Sequence, residues 1–187
     1  MAMGDMLIRA EGLACVRGGR LLFDGLSFAV GSGEALVVAG ANGSGKSSLL
    51  RCLAGLLRPA AGHIDRAGRL AFLGHDNALK PTQTLRRELA WWAALDGGEP
   101  MLALGLDALG DVPVRMLSAG QKRRAALARV MASRAPLWLL DEPGAGLDAA
   151  SSAALSEAVA AQLAAGGGVI MASHGETVVA GARTLQL

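Results

Sequence analysis

The chain has 187 residues, enough for one domain with room for a small inserted subdomain. No apolar run approaches the roughly 20 residues that span a bilayer, although the hydrophobic fraction is 52%. A net charge of +2 and an aromatic content of 3% argue against nucleic-acid binding, which needs a basic surface or stacking rings. Residues 1–12 are interrupted by Asp5, Arg9 and Glu11 and contain no signal-peptide core, so we expect a cytoplasmic protein.

The first third of the chain predicts strands, a loop and a helix in that order. Residues 7–10 and 21–30 read as strands joined by a turn at residues 17–20 (RGGR). Residues 35–39 (ALVVA) are a short apolar run bounded by glycines, which is typical of a strand buried on both faces of a parallel sheet. A glycine-rich loop follows, and leucines at helical spacing then predict a helix over residues 46–57.

The middle of the chain differs in character from its flanks. Residues 69–74 (RLAFLG) predict another strand. After it, residues 76–120 predict an inserted helical subdomain, with one helix near residues 85–95 and a second near residues 101–109.

The last third returns to alternating helices and strands. A helix is predicted over residues 119–133, and residues 137–140 (LWLL) read as a buried strand that ends in two acids. A helix over residues 149–165 and a strand over residues 169–172 follow. Two cysteines, Cys15 and Cys52, lie in apolar surroundings, and we expect both to be buried and reduced.

Residues 40–47 (GANGSGKS) match the phosphate-loop pattern G-x-x-x-x-G-K-[ST] between a predicted strand and a predicted helix. Glycines there let successive amides point at an anion, Lys46 supplies a cation for the β- and γ-phosphates, and the Ser47 hydroxyl is placed to bind Mg²⁺. The weaker alternative is a glycine-rich turn with a surface lysine. The predicted nucleotide contacts here are Gly40, Ala41, Asn42, Gly43, Ser44, Gly45, Lys46, Ser47 and Ser48.

Asp141 and Glu142 follow a predicted buried strand, where ligands bind in α/β sheets. We expect Asp141 to hold Mg²⁺ through water and Glu142 to act as general base on the attacking water. The alternative is a helix-capping or solvated acidic pair. His174 also follows a predicted strand and is expected to contact the γ-phosphate, whereas His63 is given no role.

A second anion site is predicted at residues 117–121 (LSAGQ), where Ser118, Gly120 and Gln121 open a helix. One γ-phosphate hardly needs two such sites from one subunit, so we expect a head-to-tail dimer in which this motif closes on the partner's nucleotide. The basic run over residues 122–124 (KRR) is interpreted mostly as a solvated or phosphate-flanking face.

These motifs, in this order, resemble those of ABC-transporter ATPase subunits over nearly the whole chain. Residues 40–47 resemble the Walker A loop, residues 117–121 the signature, residues 137–142 Walker B, residues 147–148 the end of the D-loop, and His174 the switch histidine. The resemblance implies an α/β P-loop NTPase: a RecA-like core with an antiparallel β subdomain over residues 1–75 and 129–187, and a helical subdomain over residues 76–128. ATP and Mg²⁺ are the implied cofactors.

The chain is more similar still to the CcmA family, the ATP-binding subunit of the haem exporter of bacterial cytochrome c biogenesis. The small size fits, and so do residues 22–28 (LFDGLSF), 46–51 (KSSLLR), 72–75 (FLGH) with Leu79 and Lys80, and 117–129 (LSAGQKRRAALAR). This resemblance implies integral membrane permease partners, contacted near residues 75–80 with Trp91 and Trp92 as further candidates. It also implies a peripheral location on the cytoplasmic face of the inner membrane.

Three departures from the wider ABC pattern affect the site. His75 stands where Gln is usual, although an imidazole is also able to reach Mg²⁺ or its water. Ala119 replaces a signature glycine, as it often does in the haem-exporter family. The adenine-stacking aromatic is missing, and Arg17, near its position, is able to stack through its guanidinium plane.

Three alternatives remain open at this stage. In the first, the chain is the ATPase subunit of another small exporter or importer, with the same ATP chemistry and a different transported substrate. A soluble ABC ATPase acting on ribosomes or DNA usually carries two cassettes or long insertions, and neither is present here. The third alternative is a non-enzymatic scaffold that binds nucleotide without hydrolysing it. The presence of Glu142 argues against it, because such a scaffold needs no general base.

Overall fold

A computed structural model of the chain describes residues 6–100, 102–173 and 179–187. Within these residues, eight strands and four α-helices are mixed along the chain, as in an α/β fold. The strands are β1 (Met6–Arg17), β2 (Arg20–Gly31), β3 (Ala35–Ala39), β4 (Ala61–Arg66), β5 (Leu70–Leu73), β6 (Leu137–Asp141), β7 (Gly168–Ala172) and β8 (Arg183–Gln186). The helices are α1 (Lys46–Leu53), α2 (Leu85–Asp96), α3 (Ala119–Ala132) and α4 (Ala149–Ala164).

Eight strands of the described residues form two sheets. An antiparallel sheet has the order β2-β1-β4, and a parallel sheet has the order β5-β6-β7-β3-β8. The hairpin β1–β2 is predicted from its sequence, whereas β4 and β8 are not. Both lie at sheet edges, and their largely exposed residues give no alternating apolar pattern.

Strand β6 is buried along its whole length because it lies inside the parallel sheet. Its side chains point alternately to opposite faces. Leu137 and Leu139 join a core cluster with α1 and the antiparallel sheet, while Trp138 and Leu140 join a second cluster with α3 and α4. The parallel sheet is therefore a central layer that is covered on both faces.

A third apolar cluster forms within the predicted helical subdomain. Leu85 and Leu89 of α2 pack there with Leu106 and Leu117, and with Ala125 and Ala128 of α3. Other side chains of α3 belong to the second cluster. Helix α3 therefore contributes to both the core and the helical region. The subdomain boundary expected after residue 128 stays a prediction.

Two predicted helices need correction. The helix near residues 101–109 is wrong for the described residues, which contain only a short 3-10 turn at Asp107–Leu109. Leu104 and Gly105 have φ angles of 62° and 69°, and such left-handed residues interrupt a helix. Helix α1 ends at Leu53 instead of residue 57, because Gly55 adopts a φ of 76° directly after it.

Cys15 of β1 and Cys52 of α1 are both free and buried, as predicted. Burial, and then the neighbouring Cys15, raise the pKa of the Cys52 thiol to about 11. A buried thiol that stays protonated is a poor nucleophile.

We therefore expect neither thiol to react with a water-soluble disulfide reagent at pH 8 in the folded protein, and both to react in denaturant. Spectroscopic thiol counting with and without guanidinium chloride measures this. Because the folded-state pKa is raised, the stability that Cys52 contributes is complete below the ordinary thiol pKa and is lost as the pH rises towards 11. Rapid modification of either thiol in the folded protein would contradict the packing of β1 on α1.

Candidate active site

The loop between β3 and α1 depends on three glycines with left-handed backbone angles. Gly40, Gly43 and Gly45 have φ angles of 156°, 79° and 110°. A Cβ atom added at Gly40 would lie 2.7 Å from both the Leu187 carbonyl oxygen and the Ser44 hydroxyl. At these positions only glycine fits without strain, and the resulting turn directs backbone amides inward at the start of α1.

Lys46, the first residue of α1, folds back over this loop. Its Nζ donates to the carbonyl oxygens of Gly40 at 2.8 Å and Ala41 at 2.9 Å, and its side chain is only 5% exposed. The ammonium group is thereby held beside an open cavity of about 690 Å³, the phosphate-loop cavity. The cavity is lined by Leu22, Asn42, Gly43, Gly45, Lys46, Ser47, Ser48 and Glu142.

The Ser44 hydroxyl is buried, and it has no hydrogen-bond partner among the described residues. A buried polar atom without a partner is destabilising unless a ligand or water supplies one. Together with the inward amides and Lys46, this hydroxyl suits the loop to an anionic group such as the phosphates of a nucleotide.

The end of β6 lies directly across from the start of α1. The Ser47 hydroxyl donates to Oδ1 of Asp141 at 3.0 Å, and Asp141 is 3% exposed. The two oxygens converge although 94 residues separate them in sequence. Among the described residues, no group of three or more His, Cys, Asp or Glu side chains could hold a metal ion.

Glu142, the next residue, has a φ of 48°, which is rare for a side chain with a Cβ. Its amide donates to the Ala172 carbonyl of β7 at 3.0 Å. The side chain is half-buried and lines the phosphate-loop cavity. It also lines a smaller cavity of about 210 Å³, where His75, Gly120 and Arg123 contribute.

The prediction that the basic run at residues 122–124 is mainly solvated or flanks phosphate is wrong for Arg123, which is 8% exposed. Its guanidinium donates to the carbonyl oxygens of Gly74 at 2.7 Å, Glu142 at 2.8 Å, and Asp141. Burial lowers the pKa of Arg123, while Asp141 and Glu142 act in the opposite direction. No local signal singles out Arg123, because the residues three and four positions after each member of the run, residues 125–128, are all buried.

The signature residues form a reciprocal cap at the start of α3. The Gln121 amide donates to the Ser118 hydroxyl at 3.2 Å, and the Ser118 amide donates to the Gln121 side chain at 2.8 Å. Neither residue lines the phosphate-loop cavity, and Gly120 lines only the smaller one. Within one chain, no signature residue therefore lines the phosphate-loop cavity, although Gly120 shares the smaller cavity with Glu142.

The remaining predicted residues are placed differently. His75 is exposed and lines the smaller cavity, but not the phosphate-loop cavity. Arg17 is exposed at the end of β1, while Leu22 of β2 lines the phosphate-loop cavity. His174 lies outside the described residues. Asp148 caps α4, and its hydrogen bonds with Ser151 lower the pKa of this carboxyl.

A strand, a glycine-rich loop and a helix, with a carboxylate at the helix start that comes from the strand two positions away in the sheet, define a P-loop nucleoside triphosphatase. Two further features are typical of ATP-binding cassettes among the P-loop nucleoside triphosphatases. One is the antiparallel sheet, and the other is a helical region that leads into a helix capped by the LSAGQ segment.

Comparison with known proteins agrees. A family model described as "ABC transporter" matches residues 23–145. The cytochrome c biogenesis ATP-binding export protein CcmA of Sphingopyxis alaskensis is 51% identical over 90% of this chain and 90% of its own length. The CcmA protein of Zymomonas mobilis is 49% identical over 98% of this chain and 86% of its own length. A solved ATP-binding subunit of an ABC transporter superposes with a TM-score of 0.83 at 25% identity, over 90% of this chain and 79% of that one.

The chain therefore belongs to the ABC transporter ATPases and, within them, to the CcmA family, as its motifs predict. It is an ATPase. No helix among the described residues is long and apolar enough to cross a membrane.

Replacing Gly45 by alanine tests the loop geometry. The new Cβ would lie 3.0 Å from Leu22 Cβ and 3.2 Å from Phe23 Cδ1, at a φ of 110° that disfavours alanine. We expect ATP affinity to fall by at least about tenfold, which corresponds to about 1.4 kcal/mol. Gly144→Ala is the control, because its Cβ would meet nothing within 4 Å and its φ is not left-handed. Equal ATP affinity of the two variants, measured by calorimetry, would contradict the loop assignment.

Proposed function

We propose that the chain is the ATP-hydrolysing subunit of an export complex that acts in the haem-delivery step of cytochrome c maturation. The observation that carries this proposal is the high identity, over nearly full length, to proteins named for cytochrome c biogenesis export. The site supports the ATPase half of the proposal, because the Ser47–Asp141 contact joins the phosphate loop to the acidic strand end.

In this proposal, the amides of the loop and Lys46 bind the β- and γ-phosphates of ATP. Lys46 is pre-positioned by its two bonds to loop carbonyls, so little side-chain entropy is lost on binding. The buried Ser44 hydroxyl gains a phosphate oxygen as its partner. Leu22, at the cavity wall, offers the base an aliphatic surface, and Arg17 remains a candidate for stacking from the end of β1.

Ser47 and Asp141 are proposed to hold Mg²⁺, Asp141 through water. A serine hydroxyl, one carboxylate and substrate phosphates are the donors that this hard cation prefers. When bound, the ion neutralises charge on the β- and γ-phosphates. His75 is a weaker candidate for the same ion, because it does not line the phosphate-loop cavity.

Glu142 is proposed as the general base, since its side chain lines the cavity in which the phosphates would lie. Its carboxylate would accept a proton from the attacking water as the water's oxygen bonds to the γ-phosphorus and the β–γ bridging bond breaks. His174 stays a proposed γ-phosphate contact on the resemblance alone.

Two copies are proposed to bind head to tail, so that Ser118, Gly120 and Gln121 of one close on the nucleotide of the other. The separation of the signature from the phosphate-loop cavity within one chain supports this arrangement. The start of α3 presents the positive end of its helix dipole to an anion, beside the Ser118–Gln121 cap.

Permease subunits are proposed to bind a groove between the core and the helical region, at the cytoplasmic face of the inner membrane. A cavity of about 490 Å³ lies there, with Leu56, Phe72, His75 and Trp92 among its lining residues. Beside it, Trp91 is 46% exposed and carries the Lys80 ammonium 3.9 Å from its ring centroid. Large exposed apolar side chains near such a cavity favour a protein partner.

Glu142→Gln tests the catalytic assignment. We expect ATP hydrolysis to fall about 10²- to 10⁴-fold, because the base is lost while the binding contacts remain. The variant should therefore accumulate as an ATP-bound dimer, measured by light scattering with Mg-ATP. Glu157→Gln on α4 is a matched control away from the cavity. Hydrolysis by Glu142→Gln at the wild-type rate would show that Glu142 is not the general base.

An affinity pull-down with tagged Glu142→Gln protein from native membranes, in Mg-ATP, tests the biological assignment. We expect small polytopic proteins of cytochrome c assembly, identified by mass spectrometry, with haem followed by absorbance. A different permease would keep the ATPase mechanism and overturn the haem assignment. Ribosomal or DNA-associated proteins without a permease would overturn the transport role.

A further inference from the structure

Arg123 joins three segments that are distant in sequence. It lies one turn into α3, after the LSAGQ cap, and donates to Gly74 beyond β5 and to the backbone of Asp141 and Glu142 at the end of β6. Its three shorter hydrogen bonds go to backbone carbonyls, and a longer one of 3.5 Å goes to the side-chain oxygen of Asn77. The Arg123 guanidinium therefore mainly fixes the backbone of these segments, and its side chain does not line the phosphate-loop cavity.

The backbone that Arg123 holds is strained at Glu142. A residue with a Cβ rarely adopts a φ of 48°, and the conformation persists only where its surroundings enforce it. Three printed hydrogen bonds hold it here: the Glu142 amide donates to the Ala172 carbonyl, and the Glu142 carbonyl accepts from the Ala145 amide at 3.1 Å and from the Arg123 guanidinium at 2.8 Å. The left-handed turn decides where the Glu142 side chain points.

We propose that Arg123 is a positioning residue for ATP hydrolysis, which aims the Glu142 carboxylate by fixing its backbone and links that aim to the signature helix. Because Arg123 and the signature share α3, a shift of the helix start when nucleotide binds is transmitted to the end of β6. The proposal rests on the role of Glu142 as general base.

Arginine suits this task better than lysine. Its planar fork presents donors to two segments at once, Nη1 to Gly74 and Nη2 to Asp141 and Glu142, whereas an ammonium is a compact point charge. The nearby carboxylates of Asp141 and Glu142 favour the charged form of the buried guanidinium. Lysine would keep the charge and lose the geometry.

The first experiment measures kcat and KM for ATP, the Kd for ATP and the melting temperature of Arg123→Lys and Arg123→Gln in the full-length protein. We expect kcat to fall by about 100-fold, the loss typical of a misplaced catalytic group. ATP affinity should stay within about threefold, because Arg123 does not line the phosphate-loop cavity. Arg124→Lys is the matched control, since Arg124 donates to the Leu104 carbonyl in the helical region and not to a strand end.

A double-variant cycle separates positioning from a merely structural role. If Arg123 acts through Glu142, then adding Arg123→Lys to Glu142→Gln should not reduce single-turnover hydrolysis further. A further loss by the same factor, or a kcat that follows only the folded fraction, would overturn the proposal. Wild-type kcat in Arg123→Lys and Arg123→Gln, with Glu142→Gln inactive, would overturn this inference alone. Activity of Glu142→Gln would instead overturn the proposed mechanism itself.

Discussion

The parallel pairing of β6 with its neighbours β5 and β7 is the constraint on which the rest of the site depends. Parallel strands end at the same edge of a sheet, so the segments after β3, β5 and β6 all emerge together. That edge holds the phosphate loop, the Gly74–His75 segment and the acidic pair. Val38 of β3 and Asp141 of β6 both pair with Ala172 of β7, so the two strands end at the same level. The hydroxyl of Ser47, which follows β3, therefore reaches Asp141.

Much of this edge could be predicted from local patterns. Residues 35–47 combine a buried-strand pattern, glycines at fixed spacing and a helix start, and each requirement is local in sequence. The strands β4 and β8 were missed because edge strands carry exposed residues and need no apolar alternation. The helix expected near residues 101–109 failed at Leu104 and Gly105, where tertiary packing holds left-handed angles that helix periodicity does not report.

Arg123 shows a different limit of sequence reasoning. A run of three basic residues suggests a solvated face, and composition does not distinguish Arg123 from Lys122 and Arg124. Its burial follows from which side of α3 faces the sheet, and its shorter hydrogen bonds go to backbone carbonyls, which leave no pattern in the sequence. Interactions with backbone are therefore the part of this site that only three-dimensional structure reveals.

The position of Glu142 combines rigidity with dependence on neighbouring elements. Its backbone is held from β7 through Ala172 and from α3 through Arg123, so its geometry depends on how the helical region sits on the sheet. A base at an unstrained position would keep its aim whatever α3 did. Strain at Glu142, balanced in part by a contact from the signature helix, instead lets the arrangement of α3 influence the carboxylate that we propose as the base. Under the proposed function, this dependence would couple ATP hydrolysis to the position of the helical region.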